Sequence, residues 1–167
     1  ENRYPGCRVD VKNHFYTYSF EPNHDWSEYY SQRDELQAYF EHCANKYGVM
    51  PHIRFETEVS AARFDEADGK WEVALRGKSG VPERLKVNAV VSAVGQLNRP
   101  KVPDIPGLSG FRGASFHSAE WPADFAVDGK RIAVVGTGAS AFQIVPTIAD
   151  RVEQLVVNDR LDDVTRH

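Results

Sequence analysis

The stretch GTGASA, residues 136–141, constrains the fold of this chain more than any other feature. It directly follows the apolar run RIAVV at 131–135, opens a predicted helix, and is followed by a second predicted strand at 154–157. A Gly-x-Gly-x-x-Ala turn between a strand and a helix is the fingerprint of a dinucleotide-binding unit. The pattern therefore predicts an α/β unit with a nucleotide site. It leaves open a purely structural turn in another kind of α/β domain.

Each small residue of this turn has a physical reason to be there. Gly136 allows a tight turn from strand to helix, and Gly138 lets the backbone approach a pyrophosphate. Ala141 lets the helix pack closely on the strand. The exposed N–H groups and the dipole at a helix start favour the negative charge of a phosphate. The predicted cofactor-binding residues of the turn are Gly136, Thr137, Gly138, Ala139, Ser140 and Ala141.

The end of the second strand bears on which nicotinamide cofactor binds. Asp159 stands where an acid would hold the ribose 2′-hydroxyl of NAD, and Arg160 beside it would bind the 2′-phosphate of NADP. The residues alone leave both cofactors open. Arg160 as a solvated surface charge is a further reading.

The whole chain has three predicted parts. Residues 1–98 form one portion, 99–125 a proline-rich connection, and 126–167 the start of the nucleotide unit. Within the first portion, Ser31 is the expected N-cap of a helix that ends at Gly48, with one buried apolar stripe. Strands are predicted at 53–65, 70–77 and 83–95. The run NAVVSAVG at 88–95 is typical of a strand buried on both faces.

Composition excludes several classes of partner. The net charge of −4 gives no basic footprint, so we expect no nucleic-acid partner. No run of 18 apolar residues is present, so we expect no membrane span. Cys7 and Cys43 form no CxxC pair, which favours reduced thiols in the cytoplasm. The six His have no ligand spacing, so we expect no metal.

The stretch FRGASFHSAEWP at 111–122 carries a resemblance to a known family. Phe111, Gly113, His117, Trp121 and Pro122 match every fixed position of the FxGxxxHxxxW fingerprint, with Pro or Asp after it, of Baeyer–Villiger monooxygenases. The spacing to the glycine turn also matches. NRYPGCRVD at 2–10 is similar to a segment of the same family, and the likeness extends over about residues 1–157.

The resemblance implies a fold, an activity and cofactors. The fold is α/β, part of a flavoprotein with two dinucleotide-binding domains, in which a portion of the FAD domain with an antiparallel meander precedes the start of a Rossmann-like NADP domain. The activity is a monooxygenase reaction that uses FAD, NADPH and O₂ to convert a ketone into an ester or lactone. It also implies that the FAD glycine motif precedes Glu1 and that a catalytic Arg follows His167. The remainder of the parent polypeptide is therefore an expected partner.

The resemblance also implies roles for individual residues. Asp10 matches the acid beside the flavin that orients the catalytic Arg. His117 has two readings: a linker residue that couples the two domains, or a group that takes part in the chemistry. Arg160 matches the residue at the NADP 2′-phosphate and favours NADPH. The other matched cofactor-binding positions are Arg8, Val9, Tyr16, Val59 and Gln143, together with the glycine turn.

One segment departs from the family. Residues 158–161 read Asn-Asp-Arg-Leu where the family has Phe-Gln-Arg-Thr, and Asp159 would repel a 2′-phosphate. Three hypotheses follow for the chain. It is part of a ketone-oxidising monooxygenase, part of a heteroatom-oxidising flavin monooxygenase, or a module that binds a dinucleotide without catalysis. The Trp121-Pro122 pair argues against the second hypothesis.

Overall fold

The structure, a computed structural model, describes residues 2–95, 97 and 99–159. The chain divides into two compact units. One unit comprises Glu1–Cys43 with Arg99–His167, and the other comprises Ala44–Asn98. These boundaries differ from the three predicted parts, whose division of the parent protein stays a prediction. Among the described residues, no helix has the length and apolar character needed to cross a membrane.

The unit Ala44–Asn98 contains an antiparallel meander of three strands. Strand β1 spans Glu58–Asp65, β2 spans Lys70–Arg76 and β3 spans Pro82–Val87, in the order β1-β2-β3. Period-2 alternation in β2 turns Val73 and Leu75 to the same face, where each is 7% exposed. A short 3₁₀ helix at Met50–His52 precedes the meander.

Two strand predictions in this unit are wrong in extent. Residues 53–57 are not part of β1, because the backbone turns at Glu56, where φ is +51°. The run 88–95 lies beyond the end of β3 and is not a strand. Val91 is 87% exposed and Val94 is 69% exposed. A strand buried on both faces needs neighbouring strands and covering layers, and the described residues supply neither to this run.

The other unit contains the predicted strand, helix and strand. Strand β4 spans Arg131–Val135, helix α2 spans Ala139–Ile148 and β5 spans Gln154–Asn158. β4 and β5 pair in parallel, with Ala133 opposite Val156. Parallel strands joined by a helix form the β-α-β unit on which dinucleotide sites are built. Together with the meander, this pair confirms the predicted α/β class.

The core of this unit draws on distant parts of the sequence. Its buried members are Tyr4, Val127, Ile144 and Ile148. Trp121 and Phe125, from the fingerprint stretch and just after it, pack against them, as do Cys7, Ile132, Val152 and Leu155. The N-terminal segment and the connecting stretch are therefore parts of the hydrophobic core that supports β4 and α2.

Helix α1 spans Arg33–Lys46, close to the predicted limits, but its start differs from the prediction. Ser31 is wholly buried and its hydroxyl has no hydrogen-bond partner, so it does not cap the helix. Its backbone N–H instead donates to Asn13 Oδ1 at 2.6 Å. The predicted stripe is only partly buried: Tyr39 and Cys43 are inside, whereas Phe40 and Tyr47 are exposed. Three further 3₁₀ turns span Asn13–Tyr16, Leu108–Gly110 and Ser118–Glu120.

Candidate functional site

The glycine turn joins β4 to α2. Its backbone conformation requires glycine at position 136 but not at position 138. Gly136 has φ of +104°, a left-handed conformation that a side chain would strain. Its N–H donates to the Asn158 carbonyl at 2.7 Å, which ties the turn to the end of β5. Gly138 is the N-cap of α2 with φ of −72° and ψ of −180°, which any residue can adopt. Backbone strain therefore does not require glycine at position 138.

The residues of the turn fit a dinucleotide phosphate. A Cβ added at Gly136 or Gly138 would meet no protein atom within 4 Å, so the surface beside both residues is open. The first N–H groups of an α-helix have no partner within the helix and concentrate positive potential there. The first turn of α2, all of which the structure describes, has no acidic residue and no side-chain cap that would occupy those groups. Ala141 is buried, as close packing of helix and strand requires.

The N-terminal segment is bound to α2 through the side chain of Gln143. The Gln143 Oε1 accepts from the Arg8 N–H at 3.2 Å, and Gln143 Nε2 donates to the Arg8 carbonyl at 3.0 Å. The Tyr4 hydroxyl donates to the same Oε1 at 3.0 Å. Burial raises the pKa of Tyr4, which keeps this hydroxyl protonated and able to donate.

The predicted flavin-side residues of the N-terminal segment each have a different partner. The Arg8 guanidinium pairs with Glu28 at 2.9 Å. Asp10 is exposed, and its Oδ1 accepts from the Tyr16 hydroxyl at 3.4 Å. Burial and the nearby charge of Asp10 raise the pKa of Tyr16. Val9 is 9% exposed, and its N–H donates to the Ser31 carbonyl at 3.1 Å. The structure thus brings Asp10 and Tyr16 together, beside the segment held by Gln143.

Of the two remaining predicted cofactor-binding residues, one belongs to the meander unit and the other lies outside the described residues. Val59 is in β1 of the meander unit, next to an irregularity in the register between Val59 and Ala61, and is 58% exposed. Arg160 lies outside the described residues, so its predicted contact with a 2′-phosphate stays a prediction. Asp159, just after β5, is exposed.

The fingerprint stretch is built around His117 and an aromatic cluster. His117 Nδ1 accepts from the Ala119 N–H at 3.1 Å and so caps the 3₁₀ turn that follows. The neutral ring therefore carries its proton on Nε2. Phe116, Trp121 and Phe125 meet edge to face, with ring centroids 5.0 to 5.9 Å apart. These contacts support a structural part for His117, and a direct chemical role stays a prediction.

Sequence reasoning assigned no role to three residues that hold this site. Tyr4 bonds Gln143, Thr147 lies against Gly6, and Gly6 has φ of +75°. The Tyr-Pro-Gly sequence at 4–6 signals a turn. No local pattern indicates that this turn packs against a helix more than 130 positions later.

Two findings bear on other chemistry. Within residues 2–95, 97 and 99–159, no three His, Cys, Asp or Glu side chains are grouped as metal ligands. Both cysteines are free thiols, and burial raises the pKa of Cys7, which disfavours its reactive thiolate form.

Comparison with known proteins identifies the family of this chain. The model of the flavin-binding monooxygenase-like family matches residues 7–163. A Baeyer–Villiger monooxygenase of Streptomyces coelicolor is 45% identical over 161 residues, which are 96% of this chain and 30% of that protein. The chain therefore belongs to the flavin-binding monooxygenase-like family, and its resemblance to the Baeyer–Villiger monooxygenases is confirmed. It spans about 30% of the length of such relatives.

Solved structures agree with this assignment. The structure of OTEMO in complex with FAD and NADP superposes with a TM-score of 0.80 at 40% identity, over 93% of this chain and 31% of that one. Cyclohexanone monooxygenase from Rhodococcus sp. Phi1 bound to NADP⁺ has a TM-score of 0.78 at 36% identity, over 93% and 29%.

Proposed function

We propose that this chain is part of an NADPH-dependent, FAD-containing monooxygenase of the Baeyer–Villiger type. In the proposed reaction, a ketone, O₂, NADPH and a proton give an ester or lactone, NADP⁺ and water. One oxygen atom enters beside the carbonyl carbon and the other leaves as water. The observation that carries the proposal is the open glycine turn of α2, which shares its core with the fingerprint residue Trp121.

The first step of the argument concerns the nicotinamide cofactor. The open space at Gly136 and Gly138 and the N–H groups at the start of α2 favour a pyrophosphate at this turn. The solved structures of relatives include complexes with NADP. We propose NADPH over NADH because Arg160 matches, by resemblance, the residue that binds the 2′-phosphate. The negative charge of Asp159 acts in the opposite direction, since it would repel that phosphate.

The second step concerns the flavin side. When bound, FAD supplies the oxygen chemistry and NADPH supplies the hydride. Asp10 is exposed and holds a hydrogen bond from Tyr16, so its carboxylate is available to orient a cationic side chain of the parent protein. Arg8, Val9 and Val59 are proposed to line the flavin region by resemblance. His117 is proposed to stabilise the connection between domains through the cap at Ala119.

Product analysis of the full-length parent protein tests the proposal. The purified protein, loaded with FAD, is supplied with NADPH and cyclohexanone, the ketone bound in one structural neighbour. We expect a lactone formed in proportion to the NADPH consumed, and slower turnover with NADH. NADPH consumption with no ester or lactone from a panel of cyclic and linear ketones would contradict the proposal.

The same preparation separates the rival hypotheses. A heteroatom-oxidising enzyme would convert an amine or thioether but leave every ketone unchanged. A non-catalytic module would bind NADP⁺ and oxidise no substrate. A cytoplasmic location for the parent enzyme stays a prediction from its sequence.

A further inference from the structure

The side chain of Gln143, in the middle of α2, is bound to the backbone of the N-terminal segment. Its carboxamide pairs with both the N–H and the carbonyl of Arg8, at 3.2 and 3.0 Å, as one peptide group pairs with another across a β-ladder. The Tyr4 hydroxyl satisfies the second lone pair of Oε1 at 3.0 Å. Three of the four hydrogen bonds that a carboxamide can make therefore go to the N-terminal segment.

A second contact fixes the same segment against the same helix. A Cβ added at Gly6 would lie 2.3 Å from Thr147 Oγ1 and 2.6 Å from the Gln143 carbonyl oxygen. The backbone at Gly6 thus approaches α2 more closely than any side chain would allow. Thr147 Oγ1 in turn donates to the Gln143 carbonyl at 2.7 Å. Polar pairing at Gln143 and close packing at Gly6 act one turn apart on α2.

Helix α2 therefore has two functions at two places along its length. Its first turn offers N–H groups at Gly138, and its middle holds the backbone of Arg8. Asp10 is two residues beyond Arg8 and is bonded by Tyr16 at 3.4 Å. A helix is stiff over this distance, so the position of the turn determines that of the segment carrying Asp10. A misplacement of about 1 Å at a reacting centre costs on the order of 100-fold in rate.

We infer that Gln143 is a positioning residue that fixes the Arg8–Asp10 segment relative to the dinucleotide turn, and that it acts through the Arg8 backbone and not through contact with the nucleotide. This inference rests on the proposed function, since it assigns Asp10 to the flavin side. It gives Gln143 a different part from the direct nucleotide contact that the family resemblance implies.

Hydrogen exchange of the Arg8 amide is the first test. In the full-length, FAD-loaded protein, Gln143→Leu removes all three hydrogen bonds while keeping a side chain of similar helix propensity. We expect the Arg8 amide to exchange about tenfold faster, the effect of one lost hydrogen bond. The matched control is Gln154→Leu, which removes a hydrogen bond to Arg131 on β4 of the same unit. That variant should leave exchange at Arg8 unchanged.

Kinetics distinguish positioning from nucleotide contact. In Gln143→Leu we expect the Kd for NADP⁺ to change less than about threefold. Anaerobic reduction of the flavin by NADPH, or the yield of ester per NADPH, should fall about 10- to 100-fold. A weakened Kd with an unchanged reduction rate and yield would overturn the inference, because it would indicate direct contact. Unchanged exchange at Arg8 would overturn it as well.

A pH profile of Gln143→Glu adds a signature that a merely structural role lacks. The introduced carboxylate accepts hydrogen bonds but has no donor for the Arg8 carbonyl. When protonated, it has both groups and imitates the carboxamide. Burial raises the pKa of a carboxyl group above its usual value of about 4.3. The yield of ester per NADPH should therefore recover toward the parental yield as the pH falls through that pKa, and a flat profile would contradict the inference.

The tests of this inference and of the proposed function fail differently. If the unchanged parent protein forms no ester from any ketone, the proposed function fails, whereas the exchange result at Arg8 still reports on the contact. If it forms ester and Gln143→Leu does so with the same rates and yield, only the inference fails.

Discussion

Two apolar runs of this chain look alike in sequence and differ in structure. RIAVV at 131–135 and NAVVSAVG at 88–95 both consist mainly of small and β-branched residues, and a glycine with positive φ closes each, Gly136 at +104° and Gly95 at +74°. The first forms β4, paired with β5 and packed on α2. The second is not a strand, and Val91 in its middle is 87% exposed.

The two runs differ in the strands and helices that neighbour them. Strand β4 is followed by helix α2 and then by a parallel partner, so one β-α-β unit supplies the hydrogen bonds of one strand edge and covers one apolar face. The run 88–95 has no such neighbours among the residues that the structure describes. Apolar composition gives a segment the capacity to be a strand, and partners determine whether it becomes one.

The largest expected effect is at Gly136. In the full-length protein, Gly136→Ala places a methyl group in the open space beside the turn and strains a φ of +104°. NADP⁺ binding measured by calorimetry should weaken about 100-fold, or by about 2.7 kcal/mol. The control is Gly129→Ala, another glycine of positive φ with open surroundings, at the turn before β4. Equal weakening in both variants would mean that backbone strain, and not the site, explains the loss.

A charge placed in each run tests the comparison directly. Val134 is half-buried and lies opposite Val157 in β5, so Val134→Asp should reduce the free energy of unfolding of this chain by about 2.5 kcal/mol. Val91→Asp should change it by less than about 0.5 kcal/mol, because the side chain is exposed. Urea unfolding measures both. A large loss in Val91→Asp would show that the run is packed.

The core beneath β4 gives a smaller effect. Trp121 is partly buried against the cluster that contains Tyr4 and Ile148, so Trp121→Ala should lower the free energy of unfolding by about 2 kcal/mol. Phe111, a residue of the same fingerprint, is 61% exposed. Phe111→Ala should cost less than about 1 kcal/mol. Equal losses would contradict the division of the fingerprint into packed and exposed aromatics.

The smallest effect concerns a surface ion pair at the base of β4 and β5. Hydrogen bonds from Arg151 lower the pKa of Asp128 below its ordinary value of 3.8, so folding favours the charged carboxylate. This contribution is complete above pH 3.8 and is lost as the pH falls through the lower folded pKa. Asp128→Asn should therefore lower the Tm slightly at neutral pH and not at all in strong acid. A Tm difference that persists in acid would exclude this ion pair as its cause.

The elements of the nucleotide unit could be predicted from the sequence because each has a local signal. The strand at 131–135, the glycine turn and the strand beginning at residue 154 follow from apolar runs and small residues at fixed spacing. The sequence predicts that the first meander strand begins at residue 53, whereas β1 begins at Glu58. The difference arises because the turn at Glu56 has a positive φ, which this residue type rarely adopts. Ser31 has the sequence of a cap, but burial and Asn13 give its backbone another partner.

The sequence could predict only the part of the site that is formed by residues close together in the chain. The turn residues Gly136 and Gly138 were predicted from spacing, and their open surroundings agree with that prediction. The pairing of Gln143 with Arg8 could not be predicted, because it joins two segments separated by most of the chain. A carboxamide in the middle of a helix gives no sign of whether it binds a cofactor, water or another backbone.

Isotope labelling tests the central claim most directly. The full-length, FAD-loaded parent protein oxidises a cyclic ketone with NADPH under isotopically heavy O₂, and mass spectrometry follows the products. We predict a lactone carrying one heavy oxygen atom at the ring position, with the second heavy atom in water. Unchanged ketone with hydrogen peroxide as the sole product of O₂, or oxygenation of amines and thioethers alone, would contradict the claim that this chain is part of a ketone-oxidising monooxygenase.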